Sequence, residues 1–241
     1  MAARKGLEGI ASPTIAEVLE QFLEEQKDRL APRTWNQYDG IIQLLKSCLD
    51  GYGYQTLDKK DTALYERLNG GTPEINFCEI FGPGHILPSV GEFLGYFMVR
   101  KVIAGADTMR AAGTVTRKLA AWLGEKGYAE AKEAEEAGGR GKRAARELPR
   151  AEKLARMLHD WTGGGSDPGR SAVEDHFVVT RVETDKNRMW VEGMMDGREL
   201  GPIEVPERIT RHLVPGWSIS GIVGRKGKSW RLVEAWNVYP G

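Results

Sequence analysis

Four histidines (His85, His159, His176 and His212) and two cysteines (Cys48 and Cys78) are the side chains of this 241-residue chain best suited to acid–base, nucleophilic or metal chemistry. Their spacing supports none of it. No histidine has a cysteine or carboxylate at metal-ligand spacing, and the cysteines are too few for a disulfide scaffold. There is no Gly-rich phosphate loop ending in Lys-Ser/Thr, no Gly-x-Ser-x-Gly and no His-Glu-x-x-His. The expectation is a non-enzymatic chain with no cofactor and no metal. Nucleophile and base can lie far apart in sequence, so a nucleic-acid enzyme with an unrecognised site stays open as a third reading.

Charge is the other chemistry available. Arg140, Lys142, Arg143, Arg146, Arg150, Lys153 and Arg156 crowd into 139–156 against Glu147 and Glu152, just after Glu130, Glu133, Glu135 and Glu136. Opposite blocks so close together read as a solvated, self-complementary helix pair, with a phosphate-tracking arm as the sharper alternative.

The whole chain gives no push towards a polyanion, because 34 basic residues cancel 34 acidic ones. Phosphate neutralisation dominates nucleic-acid affinity, so any such function must rest on local patches. Residues 1–128 hold 15 basic and 16 acidic side chains, and residues from 163 onward hold 11 of each. An apolar fraction of 41% with seven Trp supports real cores and argues against disorder. No apolar run reaches the roughly 18–20 residues of a membrane span, and the opening residues lack a signal-type segment. No membrane partner is expected, and the expected location is cytoplasmic with reduced thiols.

The elements that must position these groups change character near residue 162. Upstream, Thr14-Ile-Ala-Glu17 has the form of a capping box, and Ile15, Val18, Leu19, Phe22 and Leu23 mark one face of a helix to about Leu30. A second helix follows Ala31-Pro32, with Trp35, Tyr38, Ile41, Ile42, Leu45 and Leu49 at helical steps, and ends in Asp50-Gly-Tyr-Gly53. A short helix is expected at Lys60–Leu68, a buried one at Phe93–Ile103 and another at Thr108–Lys126 stopped by Gly127. A charged segment at 130–147 then leads to a last helix from Pro149 to Trp161, with Pro in its first turn. Leu148, Ala151, Ala155 and Leu158 form a stripe that packs at home or makes a dimer seam.

Downstream, β-branched and aromatic residues alternate with polar ones. Strands are expected at His176–Thr184, Arg188–Met195, Glu199–Val205, Trp217–Gly224 and Trp230–Tyr239, with a helical turn at Pro206–Leu213. Five strands with a helix between the third and fourth is the order of an OB-like barrel, and a Src-homology-type barrel is the competitor. The fold class is therefore α+β with two domains, an N-terminal orthogonal helical bundle and a C-terminal small five-stranded β-barrel. The divisions are a helical domain over 1–128, a charged helical connector over 129–161, a flexible Gly-rich linker over 162–170 and a β-barrel over 171–241. Cleavage in the linker is expected to leave two folded fragments.

Residues 14–50 resemble the opening two helices of the core-binding (SAM-like) domain of tyrosine recombinases, or phage integrases. The turn Ala31-Pro32-Arg33-Thr34 and the aromatic Tyr38 carry the likeness. Residues 92–128 resemble the last two helices of that domain, through Thr108, Thr114, Arg117, Lys118, Trp122-Leu123 and Gly127-Tyr128. Ala111 and Gly113 depart from the family, which tends to have a basic and an apolar residue there. The likeness covers about 75 residues in two blocks and implies a four-helix module that clamps duplex DNA. The recombinase catalytic set is missing. Tyr239 lies near the C-terminus as that family's nucleophile does, but no His-x-x-Arg precedes it, so it reads as core or rim.

On this resemblance the DNA contacts are Arg33, Thr34, Asn36 and Gln37 in the first turn of the second helix, and Arg110, Thr114, Arg117 and Lys118 along the exposed side of the later one. Thr34 at a helix N-terminus suits a phosphate oxygen and equally an N-cap role. In the barrel, Trp190, Trp217, Trp230 and Trp236 read mostly as core, or as stacking platforms for a single strand. Arg225, Lys226 and Lys228 would then add phosphate contacts, against an ordinary solvated hairpin. The expected function is DNA binding without recombination, as an accessory or regulatory factor of a mobile element or chromosome. The alternative is an adaptor whose barrel holds a protein partner and whose helical domain no longer binds DNA. Self-association, where it occurs, is expected through the 148–161 helix.

Overall fold

Thr14 starts the first helix, as the sequence predicts. Its hydroxyl accepts from the Glu17 N–H at 3.3 Å while the Glu17 carboxylate accepts the Thr14 N–H at 2.8 Å. The computed structural model describes residues 8–71, 74–163, 172–227 and 229–241, with the backbone alone at Lys226. Its chain divides into two units, one of residues up to Met98 with Arg110–Ala145, the other of Val99–Met109 with Arg146–Gly241.

In the first unit α1 (Ile15–Lys27) buries Ile15, Val18, Leu19, Phe22 and Leu23 against α2 (Pro32–Tyr52). Helix α1 stops at Lys27 rather than Leu30, because the N–H groups of Arg29 and Leu30 both turn back to the Gln26 carbonyl. Then come α3 (Lys59–Asn69), capped by Asp58, and α4 (Phe77–Ile80). A helical run follows: α5 (Val90–Glu92), a π-helical stretch (Phe93–Phe97) and α6 (Met98–Arg100). The single helix expected over 93–103 is thus cut short at Arg100, and Ile103 is fully exposed in the connection to the next helix.

Helices α7 (Ala106–Glu125) and α8 (Ala131–Thr162) explain a departure seen in the sequence. A Cβ on Gly113 would sit 2.2 Å from the Ala145 nitrogen, and one on Gly141 would sit 2.8 Å from the Arg117 nitrogen. The two backbones touch there, so only glycine fits. Trp122 locks the other side of α7. Its indole N–H donates to Glu25 at 2.9 Å, and its ring meets Phe22 edge-on at 5.5 Å.

One expectation is corrected outright. The charged segment and the last helix are one 32-residue helix with Pro149 inside it, not a connector leading to a helix that begins at Pro149. Pro149 has no N–H for the Ala145 carbonyl, and the division between the two units falls at that point, between Ala145 and Arg146. The helix runs on to Thr162, and residues 164–170 of the expected linker lie outside the described residues.

The second unit holds β1 (Val173–Glu183), β2 (Arg188–Gly193), β3 (Glu199–Glu204), α9 (Glu207–Thr210), β4 (Ser218–Lys226) and β5 (Ser229–Tyr239). The strands pair in the order β1-β2-β3-β5-β4, and β4 pairs back onto β1, so the sheet closes. All neighbours are antiparallel except β3 with β5. Asn187 at φ 54° and Gly197 at φ 65° make the two reversals flanking β2. The core joins Phe177, Val179, Met189, Val191, Ile203, Ile219 and Val223 to Ala151, Leu154 and Leu158 of α8. Of the stripe Leu148, Ala151, Ala155 and Leu158, Ala151 and Leu158 belong to this core and Ala155 packs against it.

Candidate nucleic-acid interface

The first turn of α2 is built differently from the sequence expectation. Ala31 is the N-cap with no side-chain cap bond, and Pro32 is the first helical residue. Thr34 is accordingly a third-position residue, half-buried and not a cap, whereas Arg33, Asn36 and Gln37 are exposed. Pro32 removes one of the four unpaired N–H groups at this end and presets the helical φ.

On α7 the expected stripe is present. Arg110, Arg117 and Lys118 are exposed and Thr114 is half-buried, opposite the buried Ala112, Val115, Leu119 and Leu123. The Thr114 hydroxyl donates to the Arg110 carbonyl at 3.0 Å, so it must leave that bond to donate to a phosphate. The Arg117 charge is also felt on α2. Burial pushes the Tyr38 hydroxyl up from its usual range, and the nearby Arg117 charge opposes the shift. No ion pair holds Arg33, Arg117 or Lys118 among the described residues. Asp107 at the start of α7 and Glu125 at its end leave the face mixed rather than uniformly positive.

In the second unit the tryptophans divide by role. Trp217 is 5% exposed and belongs to the core; Trp230 is partly buried against the same cluster. Arg225 lies over the Trp230 ring at 4.8 Å and Arg198 at 5.4 Å, so that ring is covered by guanidinium groups rather than open for a base. Trp190 is covered likewise, by Arg181 at 3.6 Å, and lies across Gly201, where a Cβ would meet the indole at 2.5 Å. Arg225 is exposed, Lys226 is described in its backbone only, and Lys228 lies outside the described residues.

Trp236, which the sequence groups with tryptophans read mostly as core, stays exposed. It lines a pocket of about 300 Å³ with Ile103, Met109, Leu148, Ala155 and Val238. The signal was faint: Trp236 falls on the outward step between the buried Ala235 and Val238.

The candidates for covalent chemistry are withdrawn from it. Burial pushes the Cys48 thiol up to about 12, with Glu92 adding to the shift, and burial beside Asp50 pushes Cys78 higher still. A thiol so shifted supplies no thiolate near neutrality. The Tyr239 hydroxyl is buried without a hydrogen-bond partner, its ring 5.1 Å from that of His176. His85 faces Asp61 at 3.7 Å. Among the described residues no group of three or more His, Cys, Asp or Glu is placed to hold a metal ion, and no helix is long and apolar enough to cross a membrane. No protein-family model, curated protein or solved structure matches the chain.

Proposed function

We propose that this chain is a non-catalytic DNA-binding protein, with an integrase core-binding-like helical unit and an OB-like barrel. The observation that carries the reading is the exposed cation stripe of α7, where Arg117 and Lys118 have no ion-pair partner among the described residues and the Arg117 charge acts on Tyr38 of α2. Arg33 and Arg117 then neutralise phosphates of one duplex from two helices, with Asn36 and Gln37 on the α2 side. The strand order β1-β2-β3-β5-β4 with α9 between β3 and β4 supports the OB-like arrangement over the Src-homology-type one. Near-neutral charge keeps the binding weak at physiological salt and tighter at low salt.

A mobility-shift titration with duplex DNA at about 50 mM salt tests this, since electrostatic binding is enhanced there. The parent chain forms a complex. The Arg33→Ala, Arg117→Ala variant folds normally, binds more weakly and shows a salt slope reduced by about one for each phosphate it no longer neutralises. No complex at low salt, or a variant that binds every DNA as the parent does, overturns the proposal.

A second reading, an adaptor with a protein partner, rests on Trp236 and the fully exposed Ile103 around their pocket. Exposed apolar side chains grouped this way are what a partner's apolar residues cover. Loss of a partner on Trp236→Ala, with DNA binding absent in the parent, would favour it.

A further inference from the structure

The second half of α8 carries a feature that the α7 interface leaves unused. Arg146, Arg150 and Lys153 follow one another at steps of four and three residues, which places them on one line of the helix over about 10 Å. All three are exposed, and no acidic group among the described residues pairs with them. Arg156, by contrast, holds Glu152 one turn back on α8, and Arg211, at the end of α9, holds Glu207.

Two contacts set this line apart from an ordinary solvated face. The Arg150 guanidinium lies 5.4 Å from the centre of the Trp217 ring, and Trp217 belongs to the core, so Arg150 rests on a rigid platform. Fixing a long side chain beforehand cuts the entropy lost when it binds. His212, just past α9, faces Lys153 and Arg150, and burial together with these two charges holds its imidazole towards the neutral form. Arg150, Lys153 and His212 thus lie together, with Arg146 one turn back on the same line of α8, and a bound anion relieves their mutual repulsion.

The rest of the unit tells where an anion does not go. On β2 and β3, Glu192 stands opposite Glu199, and Glu204 is held by Arg188 at 3.8 Å, so the acidic side chains there offer a phosphate less than the cation line does. The large exposed apolar side chains, Ile103, Met194, Met195 and Trp236, are not on the cation line. A lipid-binding face couples cations to apolar anchors. This one lacks the anchors, which favours a nucleic-acid backbone over a bilayer.

We infer that Arg146, Arg150 and Lys153, with His212 beside them, form a ridge that binds the phosphates of a nucleic-acid strand without reading sequence. At one phosphate per roughly 3.4 Å of axis on each strand, about 10 Å of ridge spans two or three phosphates. The inference rests on the nucleic-acid reading above and assigns it a second binding surface, made by residues other than those of α2 and α7.

The test is fluorescence anisotropy of the full chain with a labelled duplex across about 50–200 mM salt. One variant carries Arg146→Gln, Arg150→Gln and Lys153→Gln; a second carries Arg146→Gln and Lys153→Gln and keeps Arg150 on Trp217. At a slope of about 0.9 per neutralised phosphate, the slope falls by roughly 2.7 in the triple variant and roughly 1.8 in the double variant, on all sequences alike. The double variant decides the matter if the triple one fails to fold. Unchanged slopes, alongside weakened binding by Arg33→Ala, Arg117→Ala, overturn the ridge and leave the DNA reading standing. No DNA binding by the parent overturns both. Binding of the parent to phosphatidylserine vesicles, abolished in the triple variant and without any DNA complex, overturns the nucleic-acid assignment in favour of a lipid surface.

Discussion

Replacing Gly113 by alanine sets two well-measured effects against each other. Alanine is favoured over glycine in a helix interior by about 1 kcal/mol. Against this, the new Cβ would lie 2.2 Å from the Ala145 nitrogen, 2.5 Å from the Gly141 oxygen and 2.7 Å from the Ala145 Cα. All three obstacles are backbone, so no side chain can swing aside. The helices must separate by about 1 Å, which loosens the packing where they cross. Overpacking of this kind costs about 1–3 kcal/mol and sometimes more. A rigid obstacle puts this case at the upper end, leaving a net loss of about 2 kcal/mol. For a chain of this size that lowers Tm by about 4–8 °C.

The same pair of helices supplies the control. Gly138 and Gly139 of α8 have nothing within 4 Å of where a Cβ would be, so Gly138→Ala meets no obstacle and gains the helix-propensity benefit. It is expected to raise stability by up to about 1 kcal/mol, or about 2–4 °C. Differential scanning calorimetry of both variants reads the two signs directly. If Gly113→Ala stabilises as Gly138→Ala does, then α7 and α8 do not cross at these glycines, and close approach is not what Gly113 is for.

Glu25 gives the stability of the first unit a pH dependence. Hydrogen bonds from Lys126 and Trp122 lower its carboxyl from 4.5 to about 2. Because the folded value is the lower one, the contribution is complete above about 4.5 and is lost as pH falls towards about 2. Urea midpoints should drop across that window and flatten in Glu25→Gln; an equally steep drop in the variant would exclude Glu25 as the cause. In the second unit Leu158 is fully buried in the core shared with the strands, so Leu158→Ala should cost about 2–5 kcal/mol. For the same reason the isolated fragment 171–241, which lacks Ala151, Leu154 and Leu158, should show no cooperative melt, whereas 146–241 should recover one. Equal melts for the two fragments would refute the role assigned to α8.

Much of the local structure was legible because it is written in nearest neighbours. The Thr14–Glu17 cap, the apolar periodicity of α1, α2 and α7 and the succession of five strands along the chain all depend on residues a few positions apart. The polar face of α7 followed from the same periodicity, so the exposure of Arg117 and Lys118 was readable in the chain itself. The division of the chain into units was not. Pro149 and the charge blocks read as a helix start after a connector, yet a long helix absorbs one proline when neighbouring packing outweighs the missing hydrogen bond.

What the sequence by itself determined is which segments are helix or strand and which of their faces seek water, since backbone propensity and side-chain period are local properties. Only tertiary structure decided what those faces meet. Gly113 looked like a departure from a pattern until Ala145, 32 positions away, was found against it. Trp230 and Trp190 read as core or as stacking platforms, and only the fold showed arginines from other strands and turns over their rings. The cations of α8 looked balanced by the acidic block before them, but a helix turns about 100° per residue, and Arg146, Arg150 and Lys153 come out on one line with no ion pair among the described residues, Arg150 and Lys153 beside His212. Pairing across tens of residues is set by the packing of whole elements, and no spacing rule along the chain encodes it.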